Sequence, residues 1–203
     1  MAAPLEIIQA LESVIDIYFS SVRHRDRAAF ILCDNLVEMA CKTKAVQHNH
    51  RFNTTCNFFD AWNAPGVQLP PRTLGGKVNG YRNTRNNMQH GSAAATVDPT
   101  YCATAILTAV EVIDRLWRNT SQQLPPWMQI SLRVLRLYSD EGDSNHHRAF
   151  EARMRDLKWR GTSKEHVLIT EITIEPGHRD YWQLAIRTQA QLVEQCLNEL
   201  GIP

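Results

Sequence analysis

The sequence has no long apolar run, no basic leader and no closely spaced pair of cysteines. Its longest uninterrupted apolar stretch, Ala28 to Cys33, is far shorter than the roughly 20 residues of a membrane-spanning helix. The residues from Met1 to Glu6 lack the positive charge and apolar core of a secretory signal. The five cysteines include no CxxC pair. We therefore expect a cytoplasmic protein with no membrane partner and no structural disulfides.

The sequence also lacks a large net charge and the ligand spacing of a known metal site. The 22 basic and 21 acidic residues give a formal charge of +1, which excludes a strongly basic nucleic-acid coat. Histidine, cysteine and aspartate gather between His48 and Asp60, but their spacing matches no closed zinc site, so we expect no metal and no cofactor. Of the basic residues, 17 are arginines and 5 are lysines. Arginine favours forked contacts to phosphate or carboxylate, although the base composition of a genome produces the same excess.

Amphipathic helices are predicted for most of residues 1–120. Apolar residues recur there every three or four positions, which is the period of a helix with one buried face. Asp98 followed by Pro99 is a typical N-cap and first helical residue. The predicted helices run from Leu5 to Tyr18, from about Asp26 to Val46, from Leu74 to His90, and from Asp98 to Trp117.

The remaining residues, 121–203, predict a small α+β accessory unit. Alternating apolar residues from Met128 to Val134 predict a strand, although the stretch from Trp127 to Tyr138 also fits the apolar stripe of a helix. β-branched residues predict a second strand from Val167 to Ile174. Helices are predicted from His147 to Arg160 and from Asp180 to Leu200.

The end of the third predicted helix carries residues suited to phosphate chemistry. An arginine can fork two phosphate oxygens, and a histidine can move a proton at neutral pH. The partial negative charge at a helix C-terminus also favours the protonated imidazole. The candidate residues are Arg82, Arg85, Asn86 and His90.

The spacing of Arg85 and His90, with a polar residue directly after the arginine, resembles the Arg-x4-His motif of the HEPN superfamily of helical ribonucleases. The resemblance covers residues 5 to about 118 and implies a mainly α fold, a HEPN-like helical bundle whose motif closes a central helix. It implies a metal-independent endoribonuclease that acts as a homodimer and leaves a 2′,3′-cyclic phosphate. Arg85 and His90 would be catalytic. Among the substrate-binding candidates, Asn86 is placed either to order His90 or to contact phosphate, and Arg82, one turn before Arg85, to contact the flanking RNA backbone. A prokaryotic defence or toxin system, with an antitoxin or other defence protein as partner, is the implied setting.

Helix geometry constrains this hypothesis. Two residues five positions apart on an unbroken helix are separated by about 140° around the axis. Arg85 and His90 therefore converge only if the helix ends or unwinds near His90. One histidine also cannot be both base and acid on opposite sides of a phosphorus atom, whereas a two-fold dimer supplies two. Alternatives stay open: a HEPN-like scaffold without catalysis, or an unrelated helical adaptor in which Arg85 forms a surface salt bridge and His90 caps the helix.

Overall fold

The computed structural model describes residues 2–90, 95–158 and 185–202, and most of them lie in helices. The prediction of a mainly helical fold is confirmed, and no strand occurs within these ranges. Nor does any helix in them have the length and apolar character that crossing a membrane requires. The helices are α1 (Leu5–Phe19), α2 (Arg25–His48), α3 (Phe58–Trp62), α4 (Leu74–His90), α5 (Pro99–Leu116), α6 (Thr120–Gln123), α7 (Pro126–Tyr138), α8 (Ser144–Lys158) and α9 (Ala190–Glu199).

Helix α2 is the centre of the bundle. It packs along α1 on one side and along α5 on another, and it also contacts α3 and α4. Large side chains with almost no exposed surface fill the space between these helices, among them Tyr18, Phe19, Phe30 and Trp117. Burial of each such side chain contributes about 1.5–3 kcal/mol, so the bundle is held mainly by its apolar faces. The predicted helices of residues 1–120 are all present.

Helix α5 begins where the sequence predicted. The side chain of Asp98 accepts hydrogen bonds from the backbone N–H groups of Thr100 (2.8 Å) and Tyr101 (3.2 Å), and Pro99 is the first helical residue. These bonds pair donors that the first turn of a helix leaves unsatisfied. The Tyr18 hydroxyl donates to the Pro99 carbonyl over 3.3 Å, which ties the end of α1 to this start.

The predicted strand from Met128 to Val134 is wrong, because these residues lie in the middle of α7. Apolar positions continue beyond the alternating stretch to Leu135 and Leu137, both of which are buried. Helix α7 buries one side against α5 and also contacts α8 and α9. Seven alternating residues cannot distinguish these cases, and the helical stripe was the correct alternative.

The C-terminal helices were predicted in part. The basic helix expected from His147 to Arg160 corresponds to α8. Residues 185–188 are helical, Gln189 interrupts the helix with φ −138°, and α9 follows. The start of that predicted helix and the predicted strand from Val167 to Ile174 lie outside the described residues. Because α7 packs on α5 and α1, the chain after residue 126 shares the core of the preceding helices. A division into 1–120 and 121–203 stays a prediction.

Candidate functional site

An aromatic cluster sets the orientation of α4. The Tyr81 ring meets Phe30 of α2 edge-on at 6.0 Å between centroids, and Tyr101 of α5 at 5.2 Å. The Tyr81 hydroxyl lies 3.3 Å from the Thr108 hydroxyl, which is also on α5. Aromatic pairs of this geometry are favourable beyond the area they bury. Because Arg85 lies one turn after Tyr81, its side chain is directed to the surface of α2.

The Arg85 guanidinium is held by one carboxylate and two amides. Its Nε lies 3.6 Å from Asp34 Oδ2, and its Nη2 donates to Asn35 Oδ1 at 3.2 Å. Its Nη1 donates to Asn86 Oδ1, also at 3.2 Å. Nε is buried and has no hydrogen-bond partner among the described residues, so Asp34 holds it through charge alone. The side chain is 20% exposed, and its Nη groups therefore lie at the edge of the protein with neutral oxygens as acceptors.

Arg82 is bound more tightly to the protein. Its Nη2 donates to Glu38 Oε2 at 2.8 Å, and its Nη1 donates to Asp34 Oδ2 at 3.3 Å. Its guanidinium also lies over the Phe58 ring, 4.4 Å from the centroid. Glu38 has a second cation, Lys42, at 2.8 Å. Arg82 thus fastens α4 to α2 and α3.

We call Asp34, Glu38, Lys42, Arg82 and Arg85 the α2–α4 ion cluster. Burial raises the pKa of Asp34 above its ordinary value, and the two arginines offset only part of that rise. Burial also raises the pKa of Glu38, but hydrogen bonds from Lys42 and Arg82 lower it by more, so it ends below its ordinary value. Three cations and two carboxylates leave the cluster with one surplus positive charge when both acids are ionised.

His90 is the last residue of α4 and is exposed. His90 is itself still helical, so the separation of about 140° from Arg85 is retained, and among the described residues no contact joins the two side chains. The last turn is fixed from α2, where Arg27 Nη2 donates to the Met88 carbonyl over 3.0 Å. The structure therefore brings Arg82, Arg85 and Asn86 together and leaves His90 on the same helix, facing solvent.

Sequence reasoning missed the partners of the arginines on α2. Asp34, Asn35 and Glu38 lie on α2, whose apolar periodicity predicts its buried face and not its polar contacts. One signal was available in the sequence: Asp34 directly follows the apolar Cys33 and lies two positions before the apolar Leu36. A carboxylate among apolar positions needs a charged or hydrogen-bonding partner, although its identity depends on tertiary packing.

Comparison with known proteins gives no relative for this chain. It matches no protein-family model, no curated protein and no solved structure. Within the described ranges, no group of three or more histidine, cysteine, aspartate or glutamate side chains is arranged to hold a metal ion.

Proposed function

We propose that this chain is a HEPN-type, metal-independent endoribonuclease that cleaves RNA at a composite site in a homodimer. Arg85 and His90 are the catalytic residues in this proposal, and Asn86 and Arg82 support RNA binding. The setting is a prokaryotic defence or toxin system, with an antitoxin or defence protein as regulator. The order of the helices supports it, because α4 follows the packed pair α1 and α2, precedes α5 and contacts both α2 and α5, as the motif implies for a helix near the middle of the chain order.

The observation that carries the proposal is the state of the Arg85 guanidinium. Its two Nη groups donate to the amide oxygens of Asn35 and Asn86 at 3.2 Å, while its carboxylate partner lies behind it at Nε. Charge-assisted hydrogen bonds to phosphate are about twice as strong as bonds to neutral acceptors. A phosphate can therefore take the Nη donors from the amides, and Asp34 keeps the guanidinium in place during the exchange.

The proposed reaction uses the 2′-hydroxyl of the RNA as nucleophile. One His90 imidazole takes the proton of that hydroxyl, and the 2′-oxygen attacks the adjacent phosphorus. The bond to the 5′-oxygen breaks, and a second, protonated His90 gives its proton to the leaving oxygen. The two Arg85 side chains stabilise the negative charge that builds on the phosphate oxygens. The products are a 2′,3′-cyclic phosphate and a 5′-hydroxyl, and DNA is not cut because it lacks the nucleophile.

Because Arg85 and His90 lie apart within one chain, the proposed active site needs residues from both chains of a dimer. Arg85 points toward α2, and His90 points away from it at the end of α4. A two-fold axis beside the end of α4 would bring the exposed His90 and the Arg85 of both protomers to one shared groove, where the two His90 side chains lie on opposite sides of a single phosphate. In this proposal the composite site arises from two chains, without unwinding of α4.

One observation favours a second candidate, the HEPN-like scaffold without catalysis. Arg82 and Arg85 both contact Asp34, whose side chain is only 2% exposed. Arginines that satisfy a buried carboxylate have a structural reason to be present. In a scaffold, the ion cluster would fasten α4 to α2, and His90 would have no chemical role.

Cleavage assays in EDTA distinguish the two candidates. A labelled single-stranded RNA and a DNA of the same sequence are incubated with the wild type, His90→Ala and Arg85→Ala. We expect the wild type to cut only the RNA, and each substitution to lower the rate by about 100-fold or more. The matched controls are His146→Ala and Arg118→Ala, which replace exposed residues away from the motif and should leave the rate unchanged.

Folding of each variant is checked by circular dichroism and by urea denaturation, because Arg85 also contacts Asp34. Arg85→Lys keeps the positive charge but cannot donate two parallel hydrogen bonds to one phosphate. We therefore expect it to fold like the wild type and to cut RNA poorly. A wild type that cuts no RNA, or His90→Ala that cuts as fast as the wild type, would reject the ribonuclease and favour the scaffold.

A further inference from the structure

A groove of about 660 Å³ runs beside Arg85 along one face of α2. Its α2 residues recur at three- and four-residue steps from Asn35 to Gln47, as the neighbours on one helix face do. At 1.5 Å per residue this face is about 18 Å long. Thr54, from the segment between α2 and α3, lines the groove as well, and Arg85 contributes from α4. Because Arg85 bonds to Asn35, the guanidinium marks one end of the groove.

The surface of the groove combines apolar side chains with hydrogen-bonding groups. Met39 and Val46 are apolar and half-buried, while Thr43 and Thr54 supply hydroxyls. The Gln47 oxygen already accepts a hydrogen bond from the Trp117 indole at 2.9 Å, which leaves the amide nitrogen as a donor. An aliphatic chain would leave these polar groups without partners. A nucleobase has a flat face for the apolar side chains and donor and acceptor atoms at its edge.

The charges in the groove favour an anionic ligand. Arg85 and Lys42 are cationic and Glu38 is the acid that lines it, so the surplus is one positive charge. The Glu38 carboxylate is itself covered by Lys42 and Arg82, each at 2.8 Å, which reduces its repulsion of a phosphate. Positive charge at the Arg85 end and an apolar centre match a nucleotide with its phosphate at Arg85.

We infer that the groove binds the single-stranded RNA next to the phosphate held by Arg85, with a base against Met39 and Val46. This inference rests on the proposed function, because it extends the same substrate beyond the reacting phosphate. It adds a binding site along α2 that is separate from the reacting groups and that favours unpaired RNA, whose bases are free to enter the groove.

The test measures binding of a 2′-O-methyl RNA, which cannot be cleaved, by the full-length chain at several salt concentrations. Met39→Ala/Val46→Ala removes apolar contact without a change in charge, so we expect about tenfold weaker binding with an unchanged salt dependence. Arg85→Ala should instead make the fall of log affinity with log salt less steep, by the contribution of about one phosphate contact. Leu5→Ala/Val22→Ala truncates two exposed apolar residues on another surface and should bind like the wild type.

An RNA with one abasic position identifies the contact as one to a base. The abasic site is moved along the strand, and at one placement the RNA should bind the wild type more weakly than intact RNA does. The Met39→Ala/Val46→Ala variant should bind this abasic RNA and intact RNA equally. Val46→Ala alone repeats the test with less risk to folding, because Met39 packs against the core and Val46 does not.

The outcomes separate this inference from the proposed function. Cleavage that depends on Arg85 and His90, together with tight binding by the double variant, would overturn the groove and leave the ribonuclease. Groove-dependent binding without any cleavage would overturn the ribonuclease and leave the groove. If the double variant instead loses self-association in light scattering and keeps its RNA affinity, the groove joins two copies of the chain and the inference is rejected.

Discussion

At the scale of single residues, the contributions of Asp34 and Glu38 to stability depend on pH in opposite directions. The pKa of Asp34 is raised above 3.8 by burial, so its contribution to stability is present below that value and is lost as the pH rises through its pKa in the folded protein. Burial alone would raise the pKa of Glu38 too, but hydrogen bonds from Lys42 and Arg82 bring it below 4.5. Its contribution is present above 4.5 and is lost as the pH falls through the lowered value.

Urea denaturation between about pH 3 and pH 7 tests both signs. The free energy of unfolding of the wild type minus that of Asp34→Asn should fall as the pH rises above 3.8. The corresponding difference for Glu38→Gln should rise with pH and level off by about 4.5. The two variants serve as each other's control, because both replace a carboxylate by its amide in one cluster. Differences that change in the same direction with pH would contradict this account.

The residues of the candidate site were predictable only on α4. Arg85, Asn86 and His90 lie within one segment, so their spacing is readable from the sequence. Asp34 and Asn35 lie about fifty residues earlier, and their contacts with Arg85 depend on how α2 and α4 pack. A charge pattern along one helix predicts neighbours three or four positions apart, and it carries no information on a partner from another helix.

At the scale of elements, two glycines test the ends and the interior of the helices. A Cβ atom on Gly142 would lie 2.5 Å from the Leu137 carbonyl oxygen and 2.8 Å from that of Arg136, which end α7. Gly142→Ala should therefore push the last turn of α7 aside and lower the free energy of unfolding by about 1–3 kcal/mol. The midpoint and slope of urea denaturation measure the change.

Gly80→Ala is the matched control for this substitution. A Cβ at Gly80, inside α4, meets nothing within 4 Å. Alanine is favoured over glycine in a helix, so this variant should gain about 0.5–1 kcal/mol. Equal effects of the two substitutions would show that crowding at the end of α7 is not the cause.

Helix α7 also shows the limit of local sequence patterns. Long helices such as α1 and α5 were predicted correctly because their apolar residues keep a helical period over several turns, and Asp98 with Pro99 also marks the start of α5. The stretch from Trp127 to Tyr138 carries the apolar stripe of a helix, and Met128 to Val134 within it also alternates, so the sequence fits both structures. The packing of α7 on α5, α8 and α9, which the sequence does not show, decides for the helix.

At the scale of the whole molecule, the proposed dimer makes activity depend on the partner. If one His90 acts as base and the other as acid in a shared groove, only dimers of two wild-type protomers cut RNA. A protomer with His90→Ala then inactivates each wild-type chain with which it pairs. Two independent sites, one in each chain, would not be affected by such a partner.

Adding His90→Ala protein to a fixed amount of wild type measures this dependence. After the protomers exchange, the RNA cleavage rate, relative to that of the wild type alone, should equal the fraction of protomers that are wild type. This is about one half at equal amounts and about one third when His90→Ala is in twofold excess. The same mixture assayed before exchange is the control, and it should retain the full rate, because the original wild-type dimers are still intact. A rate that stays constant after exchange would mean that each chain cuts alone, and the composite site would have to be abandoned.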